Sequence, residues 1–314
     1  MSHRTKLLVL TALLFGLSLW VLLHGLPGDD GAQQQILWQL RLPLVLTAWT
    51  VGAGLAVSAA LLQVLLKNPL ADPGIIGISS GASLFAALFL LTGFGASWVY
   101  GLPVFAFIGA MLTTLLIYFI SKRLSFYAAN TVILAGIAVS TLAGGIIAWL
   151  YFFSDAQSLR NLTFWLLGSL HQADLTLALI TLPVALVLLA YVTTQSSALN
   201  WLYLGHSAAQ LRGLDMGRFY PRILLVSAML VGIAVSLAGS IAFVGLLVPH
   251  LLRLCWGHDN RLILPASALT GAILMLIVIL ASRAFGGVAV PVSMLTATVG
   301  GPLFLYIIIR QVGR

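Results

Sequence analysis

Residues 239–253 read GSIAFVGLLVPHLLR and lie inside an apolar run that extends from Ile223 to Trp256. One straight helix of that length would measure roughly 50 Å at 1.5 Å per residue, whereas the hydrocarbon core of a bilayer is about 30 Å thick. The run therefore has to fold back on itself. Gly239 and Ser240 favour a turn, because glycine tolerates tight-turn backbone and serine binds freed backbone groups. The stretch predicts two membrane helices joined by a very short connection.

The far end of this run is predicted to leave the membrane. Pro249 is expected to break the helical pattern there as a structural hinge, and His250 to cap the carbonyls that the proline frees. Polar residues then return the chain to water: Arg253, His258, Asp259 and Arg261.

The composition excludes a soluble domain. Hydrophobic residues make up 61% of the 314 residues, charged residues only 7%, and the mean hydropathy is +1.10. A soluble surface needs roughly a quarter of its residues charged. The predicted fold is therefore an all-α, polytopic integral membrane protein, with residues 1–314 forming a single transmembrane domain. About 20 residues per span leave room for about ten helices.

The apolar runs give the predicted spans in chain order. They are residues 7–23, 41–66, 74–93, 103–120, 131–152, 175–192, the two halves of 223–256, 264–281 and 292–309. The acidic, Gln-rich stretch before residue 41 and the polar stretch 154–161 are predicted loops. Residues 164–170 are predicted as a half-buried helix, because they are too few to cross a membrane.

The basic residues predict the orientation. Ten spans from a cytoplasmic N-terminus place three arginines outside, Arg41, Arg160 and Arg283, and the other twelve Lys and Arg residues inside. Those twelve are Arg4, Lys6, Lys67, Lys122, Arg123, Arg212, Arg218, Arg222, Arg253, Arg261, Arg310 and Arg314. This bias follows the positive-inside rule and puts both termini in the cytoplasm. The net charge of +8 is scattered rather than patched, so nucleic acid is not an expected partner.

The longest polar-rich segment, residues 195–222, contains a candidate amphipathic helix. Leu204, Ala208, Leu211 and Leu214 share one helical face, and Gly213 is placed to end the helix. A short helix of this kind lies on a membrane surface or inserts into the groove of a partner protein.

A second polar segment lies between the predicted span that ends at residue 66 and the one that begins at residue 74. Pro69 and Pro73 are expected to stop one helix and restart another, while the side chains of Asn68 and Asp72 hold the backbone between them. The segment predicts a structural hinge formed by Asn68, Pro69 and Pro73, with a plain cytoplasmic turn as the alternative.

The sequence patterns give little support for a hydrolase, a metal site, a disulfide or an ATPase in this chain. The Gly-x-Ser-x-Gly pattern of residues 77–81 suits a hydrolase elbow, but it opens a membrane helix and is more typical of close helix packing. No two of the six histidines are spaced four residues apart on one face, so no metal site is predicted. The single Cys255 excludes an internal disulfide. No phosphate-binding Gly-rich loop followed by Lys is present, so the chain itself is not expected to be an ATPase.

Four segments, in this order, resemble the FecCD-type permease subunits of ATP-driven importers for iron-siderophores, haem and cobalamin. They are residues 63–82 with Asn68-Pro69-Leu70-Ala71, residues 204–214, residues 239–253 followed by Leu264-Pro265, and residues 291–305 with Pro291, Thr296, Gly300, Pro302 and Phe304. The resemblance covers nearly the whole chain from Arg41 onward.

The resemblance implies a bacterial inner-membrane permease that works with a second, identical or homologous permease. Two cytoplasmic ATPase subunits and a periplasmic or extracellular binding protein complete the implied assembly. This chain binds no cofactor, and the partner ATPase uses the ATP. The carried metal chelate, whether iron-siderophore, haem or cobalamin, stays open.

The resemblance also implies site residues. Residues 203–216 match the coupling helix that docks on the ATPase, which assigns this role to Leu204, Gly205, His206, Ala208, Leu211 and Gly213. His206 stands where the family usually has an acid. Arg41 and Arg283 match arginines that meet glutamates of the binding protein, with contact to membrane lipid headgroups as the alternative.

An ion-coupled secondary transporter is the rival class. Such proteins normally need acidic residues buried in mid-membrane. The chain has no glutamate, and its seven aspartates are all predicted in loops or near helix ends.

Overall fold

The computed structural model describes residues 2–26, 30–93, 97–125, 129–285 and 290–312, and all regular structure in these ranges is helical. The helices are α1 (His3–Leu23), α2 (Asp30–Ile36), a π-helical turn (Leu37–Arg41), α3 (Leu42–Leu65), α4 (Ile78–Thr92), α5 (Gly101–Ser125), α6 (Ala129–Phe153), α7 (Ala156–Leu166), α8 (Leu175–Thr194), α9 (Ser196–Leu204), α10 (His206–Leu211), α11 (Met216–Ala238), α12 (Val244–Trp256), α13 (Asn260–Arg283) and α14 (Val292–Val312).

Seven helical stretches among the described residues are long and apolar enough to cross a membrane. They are α1, the continuous stretch Asp30–Leu65, α5, α6, α8, α11 and α13. Three more apolar helices are shorter: α4, α12 and residues 292–307 of α14. The all-helical membrane fold is thus confirmed in its coarse form. The count of ten spans and the orientation of the termini stay predictions, and Arg314 lies outside the described residues.

Helix α3 forms the centre of the molecule. From Pro43 to Leu65, every residue except Leu46 and Trp49 is buried. A helix that is hydrophobic all round requires neighbours on every side, and α3 has α8, α11, α12 and α13 around it. Helices α3 and α13 approach closely at Gly52 and Gly271, where a Cβ on either glycine would overlap the carbonyl oxygen of the other. Small residues allow two membrane helices to approach in this way.

The predicted fold-back at Gly239 is confirmed. Helix α11 ends at Ala238 and α12 begins at Val244. Gly239 adopts φ +72°, and a side chain there would meet the carbonyl oxygen of Trp165. Ser240 contributes through its backbone oxygen, which accepts a 2.7 Å hydrogen bond from Ser293 Oγ. The boundaries differ from the prediction, since α11 starts seven residues earlier than Ile223 and α12 is short.

The Gly-x-Ser-x-Gly pattern serves helix packing. A Cβ on Gly81 would press on the Gly109 carbonyl of α5, and a Cβ on Gly77 would meet Gly136 and Ser140 of α6. Both glycines therefore set the separation of α4 from its neighbours, as the packing interpretation predicts.

Two predicted loops are helical instead. The stretch before residue 41 contains α2, which carries Asp30 in its first turn, a favourable position for an acid beside the helix dipole. Residues 154–161 mostly belong to α7, because the Asp155 side chain accepts hydrogen bonds from Gln157 N and Ser158 N at 2.9 and 3.0 Å and so caps the helix. The predicted short helix at 164–170 exists with other bounds, since its first residues form the end of α7, which starts at Ala156 and ends at Leu166.

The predicted break at Pro249 is also wrong. Pro249 lies inside α12, which continues to Trp256. Proline is tolerated within membrane helices where neighbouring groups satisfy the freed backbone. The His250 side chain caps no carbonyl: it is buried, and its Nε2 has no hydrogen-bond partner among the residues that the structure describes.

Candidate functional site: two ends of the helix bundle

The predicted coupling helix is two helices rather than one. Leu204 ends α9, and the separate helix α10 runs from His206 to Leu211. Gly205 lies between them with φ +135°, a backbone conformation that residues other than glycine rarely adopt. Gly213, with φ +83°, follows the end of α10 as predicted. The separation places Leu204 outside the helix that carries Ala208 and Leu211.

The leucine of the short helix α10 is exposed rather than buried. Leu211 is 89% exposed, the highest value among the large hydrophobic side chains that the structure describes, and Leu204 is 68% exposed. The buried residue of α10 is Ala209 instead of Ala208, and Leu214 packs partly against the core. The α9–α10 segment is thus anchored by one face and leaves two apolar side chains uncovered.

The charges beside this segment are mainly positive. Lys67 Nζ lies close to Gly205, and the Arg212 guanidinium sits 5.8 Å from the centre of the Trp201 ring. Burial lowers the pKa of His206, and the nearby charge of Lys67 lowers it further. His206 is therefore expected to be neutral at neutral pH, so the segment takes its charge from Lys67 and Arg212.

The predicted hinge segment is held as expected by two side chains. Asn68 Oδ1 accepts a 2.9 Å hydrogen bond from Leu70 N, and Asp72 Oδ1 accepts a 2.8 Å bond from Gly74 N. Pro69 lies in the turn after α3, and Pro73 is buried where the chain turns toward α4. The segment also reaches α12, since Asp72 Oδ2 would lie 3.0 Å from a Cβ on Gly245.

Replacement of Asn68 by leucine is expected to destabilise this hinge. The change leaves the Leu70 N–H without its partner, which costs about 1 kcal/mol. For a chelate permease, which the resemblance implies, we expect slower transport with unchanged preference among substrates, measured by uptake of competing labelled chelates. Asn161→Leu is the matched control, because the Asn161 side chain bonds only with the exposed Gln157 side chain in the described structure. A changed substrate preference in Asn68→Leu would place the segment in the binding pathway.

A buried arginine at this end was missed by the sequence reasoning. Arg253, predicted in water, is 5% exposed. Its guanidinium donates to Ala60 O at 3.2 Å, Asn260 Oδ1 at 3.0 Å and, less closely, Gln63 Oε1 at 3.4 Å. The isolated Gln63 in an otherwise apolar span was the available signal, because a buried amide in a membrane helix needs a polar partner.

Asparagines extend this polar network to α9. Asn200 Oδ1 accepts 2.8 Å hydrogen bonds from both the backbone N–H and the side-chain amide of Asn260. Asn200 Nδ2 donates to Asp259 Oδ1 at 2.7 Å. These hydrogen bonds link the C-terminal end of α3 with α9, α12 and the start of α13. This region lies beside α10, and we call it the α10 end of the molecule.

The opposite end of α3 carries the two arginines predicted to meet a binding protein. Arg41 Nη1 donates to Leu22 O at 2.9 Å and to His24 O at 2.7 Å. Arg283 reaches Val21 O at 3.4 Å. Both guanidinium groups thus bind the last carbonyls of α1, which have no partner within that helix. The docking role stays a prediction, and the structure adds a stabilising role that the sequence reasoning did not consider.

The described residues contain no group of three or more His, Cys, Asp or Glu side chains that could hold a metal ion. They form a bundle of apolar helices whose α10 end is held together by polar hydrogen bonds and has exposed leucines beside it. This architecture is that of a polytopic membrane protein. The model of the FecCD transport family matches residues 5–310, and the chain belongs to this family.

Curated relatives are similar over almost the whole length. The chain is 41% identical over 280 residues to the vitamin B12 import system permease protein BtuC of Vibrio cholerae, an alignment that covers 89% of this chain and 84% of the relative. It is 39% identical over 317 residues to the BtuC protein of Vibrio vulnificus, with 98% and 95% covered.

A solved structure has the same fold. It shows an inward-facing conformation of a transporter assigned to the metal-chelate type of ABC transporters. It aligns with a TM-score of 0.90 and 33% identity and covers 98% of this chain and 99% of the other.

Proposed function

We propose that this chain is the permease subunit of an ATP-binding-cassette importer and that cobalamin is its substrate. The observation that carries the proposal is the full-length similarity to two vitamin B12 import permeases, at 41% and 39% identity. An iron-siderophore or haem remains the alternative cargo, because the matched family is defined by transport rather than by one chelate.

The proposed topology has ten spans and places both termini in the cytoplasm of a bacterial cell, with the chain in the inner membrane. The seven long apolar helices reach ten when α4, α12 and α14 are counted. The positive-inside bias supports this orientation. In this orientation the α10 end faces the cytoplasm.

The proposed assembly contains a second permease, two ATPase subunits and a binding protein. The exposed Leu204 and Leu211 side chains support an ATPase contact at the α10 end, since they offer apolar area beside a fastened polar network. ATP is used by the ATPase subunits, and this chain binds no cofactor.

Reconstituted transport tests the proposal. Proteoliposomes that contain the permease, the ATPase and the binding protein are expected to accumulate labelled cobalamin only with ATP, and excess unlabelled ferric siderophore or haem should not compete. Accumulation by the permease alone under an ion gradient would identify a secondary transporter. Competition by haem or siderophore, but not by cobalamin, would reassign the cargo.

The arginines at the opposite end give a second test. Arg283→Gln keeps amide donors for the α1 carbonyls but removes the charge, so the fold should persist while capture of the binding protein weakens. A rim charge mainly affects association rate and salt dependence. We expect a few-fold loss of binding-protein affinity at low salt that disappears at high salt.

Arg160→Gln is the control for this test, because Arg160 is also predicted outside but is exposed on α7. Equal affinities of wild type and Arg283→Gln at low salt, with a lowered melting temperature for Arg283→Gln, would leave Arg283 only its contact with α1.

A further inference from the structure

A cavity of about 390 Å³ lies at the α10 end, where the end of α3 meets α9 and α12. Its wall includes four basic side chains, Lys67, Arg253, His250 and His258, together with Gln63 and Tyr203. None of the described residues that line it is acidic. The burial of His258 and the charge of Arg253 lower the pKa of His258, so the field of the arginine reaches across this wall.

Among the residues that the structure describes, no carboxylate pairs with the buried charge of Arg253. Within the described ranges its hydrogen bonds go to neutral oxygen atoms of Ala60, Gln63, His258 and Asn260. The nearest acid in sequence, Asp259, instead accepts from Asn200 Nδ2 and from the Arg261 backbone. The Arg253 guanidinium also lies 5.7 Å from the centre of the Tyr203 ring, a cation–π contact that supplies no negative charge. An anion would therefore still stabilise this buried charge.

Two further side chains of the wall have unused nitrogen atoms. Gln63 is 3% exposed and His250 is 4% exposed, yet the Nε2 atoms of both lack a hydrogen-bond partner in the part of the chain that the structure describes. Buried polar groups in native proteins are almost always satisfied. An oxyanion in the cavity would accept from the Gln63 amide and from the neutral His250 ring in its Nε2-protonated form.

We propose that this cavity binds a phosphate-type oxyanion, with Arg253 and Lys67 supplying the positive charge and Gln63 and His250 supplying hydrogen bonds. The volume suffices for a tetrahedral ion and several waters, each of which occupies about 30 Å³ in the liquid. Two sources offer this chemistry at a membrane surface: free inorganic phosphate and the phosphate of an anionic lipid headgroup. The site is independent of the transported substrate, so it stands or falls separately from the proposed function.

Direct binding of radiolabelled inorganic phosphate tests the site. The full-length permease is placed in nanodiscs of phosphatidylcholine at constant ionic strength. We expect saturable binding to the wild type, at least tenfold weaker binding to Lys67→Gln and none to Arg253→Gln. Lys67 is exposed, so Lys67→Gln keeps the test valid if Arg253→Gln does not fold. Lys122→Gln, which removes an exposed charge from α5, is the matched control and should bind like the wild type.

Nanodiscs that contain phosphatidylglycerol distinguish the two sources. If this lipid prevents phosphate binding and its retention by the purified protein falls in Lys67→Gln, the occupant is the headgroup. If phosphate binds equally well in its presence, the occupant is the free ion. The proposal is overturned if the wild type shows no saturable phosphate binding and retains phosphatidylglycerol no better than Lys67→Gln, or if Lys122→Gln reduces binding as much as Lys67→Gln.

Discussion

Replacement of Gly52 by alanine is expected to leave little folded protein in the membrane. The added Cβ would overlap the carbonyl oxygen of Gly271. The helix backbones fix the positions of both atoms, so no change of rotamer can separate them. The two helices would have to separate along their whole contact. Overpacking of a core costs typically 1–3 kcal/mol, and we expect about 3 kcal/mol here because neither side can yield.

Gly144→Ala provides the control for this change. Gly144 also lies inside a helix, α6, but a Cβ there would meet nothing within 4 Å. Alanine favours a helix over glycine by about 0.5–1 kcal/mol, so this variant should be as stable as the wild type or slightly more stable. Yield of monodisperse protein and the thermal midpoint in detergent measure both variants. Equal behaviour of Gly52→Ala and Gly144→Ala would mean that α3 and α13 are less closely packed than the structure shows.

The sequence predicted the features that depend on length and local backbone. A run too long for one span had to turn, and Gly239 with Ser240 favoured a turn near its middle. The Asn68 and Asp72 side chains were also predicted correctly, because each bonds a backbone N–H two residues away. Such contacts need no knowledge of the rest of the fold.

Features that depend on distant partners were missed. Arg253 appeared to be a charge at the end of a span, but its partners Ala60 and Gln63 lie on α3, about 190 residues earlier in the chain. Polarity also misled the assignment of residues 154–161, since Asp155 was counted as a loop residue although it caps α7. The sequence pattern at residues 204–214 fits a single helix, and only the φ of Gly205 shows that it is divided.

Leu211 is the exposed leucine of α10. Replacement of Leu211 by aspartate is expected to release the ATPase subunits or to uncouple ATP hydrolysis from transport. Burial of a leucine side chain stabilises an interface by about 1.5–3 kcal/mol. A loss of about 2 kcal/mol corresponds to roughly thirtyfold weaker association of the ATPase. The permease itself should stay folded, because Leu211 is 89% exposed and contributes little to the core.

Leu124→Asp is the control, since Leu124 is 70% exposed near the end of α5 and lies outside the α9–α10 segment. Co-purification of the ATPase and cobalamin uptake per ATP hydrolysed are measured for both variants in nanodiscs. If α10 is the contact, Leu211→Asp lowers both quantities while Leu124→Asp leaves them unchanged. Leu204→Asp gives a further comparison, because Gly205 separates Leu204 on α9 from α10. If α10 alone enters the groove of the ATPase, Leu204→Asp should have a smaller effect than Leu211→Asp. Normal assembly and uptake in Leu211→Asp would remove the coupling role from this helix.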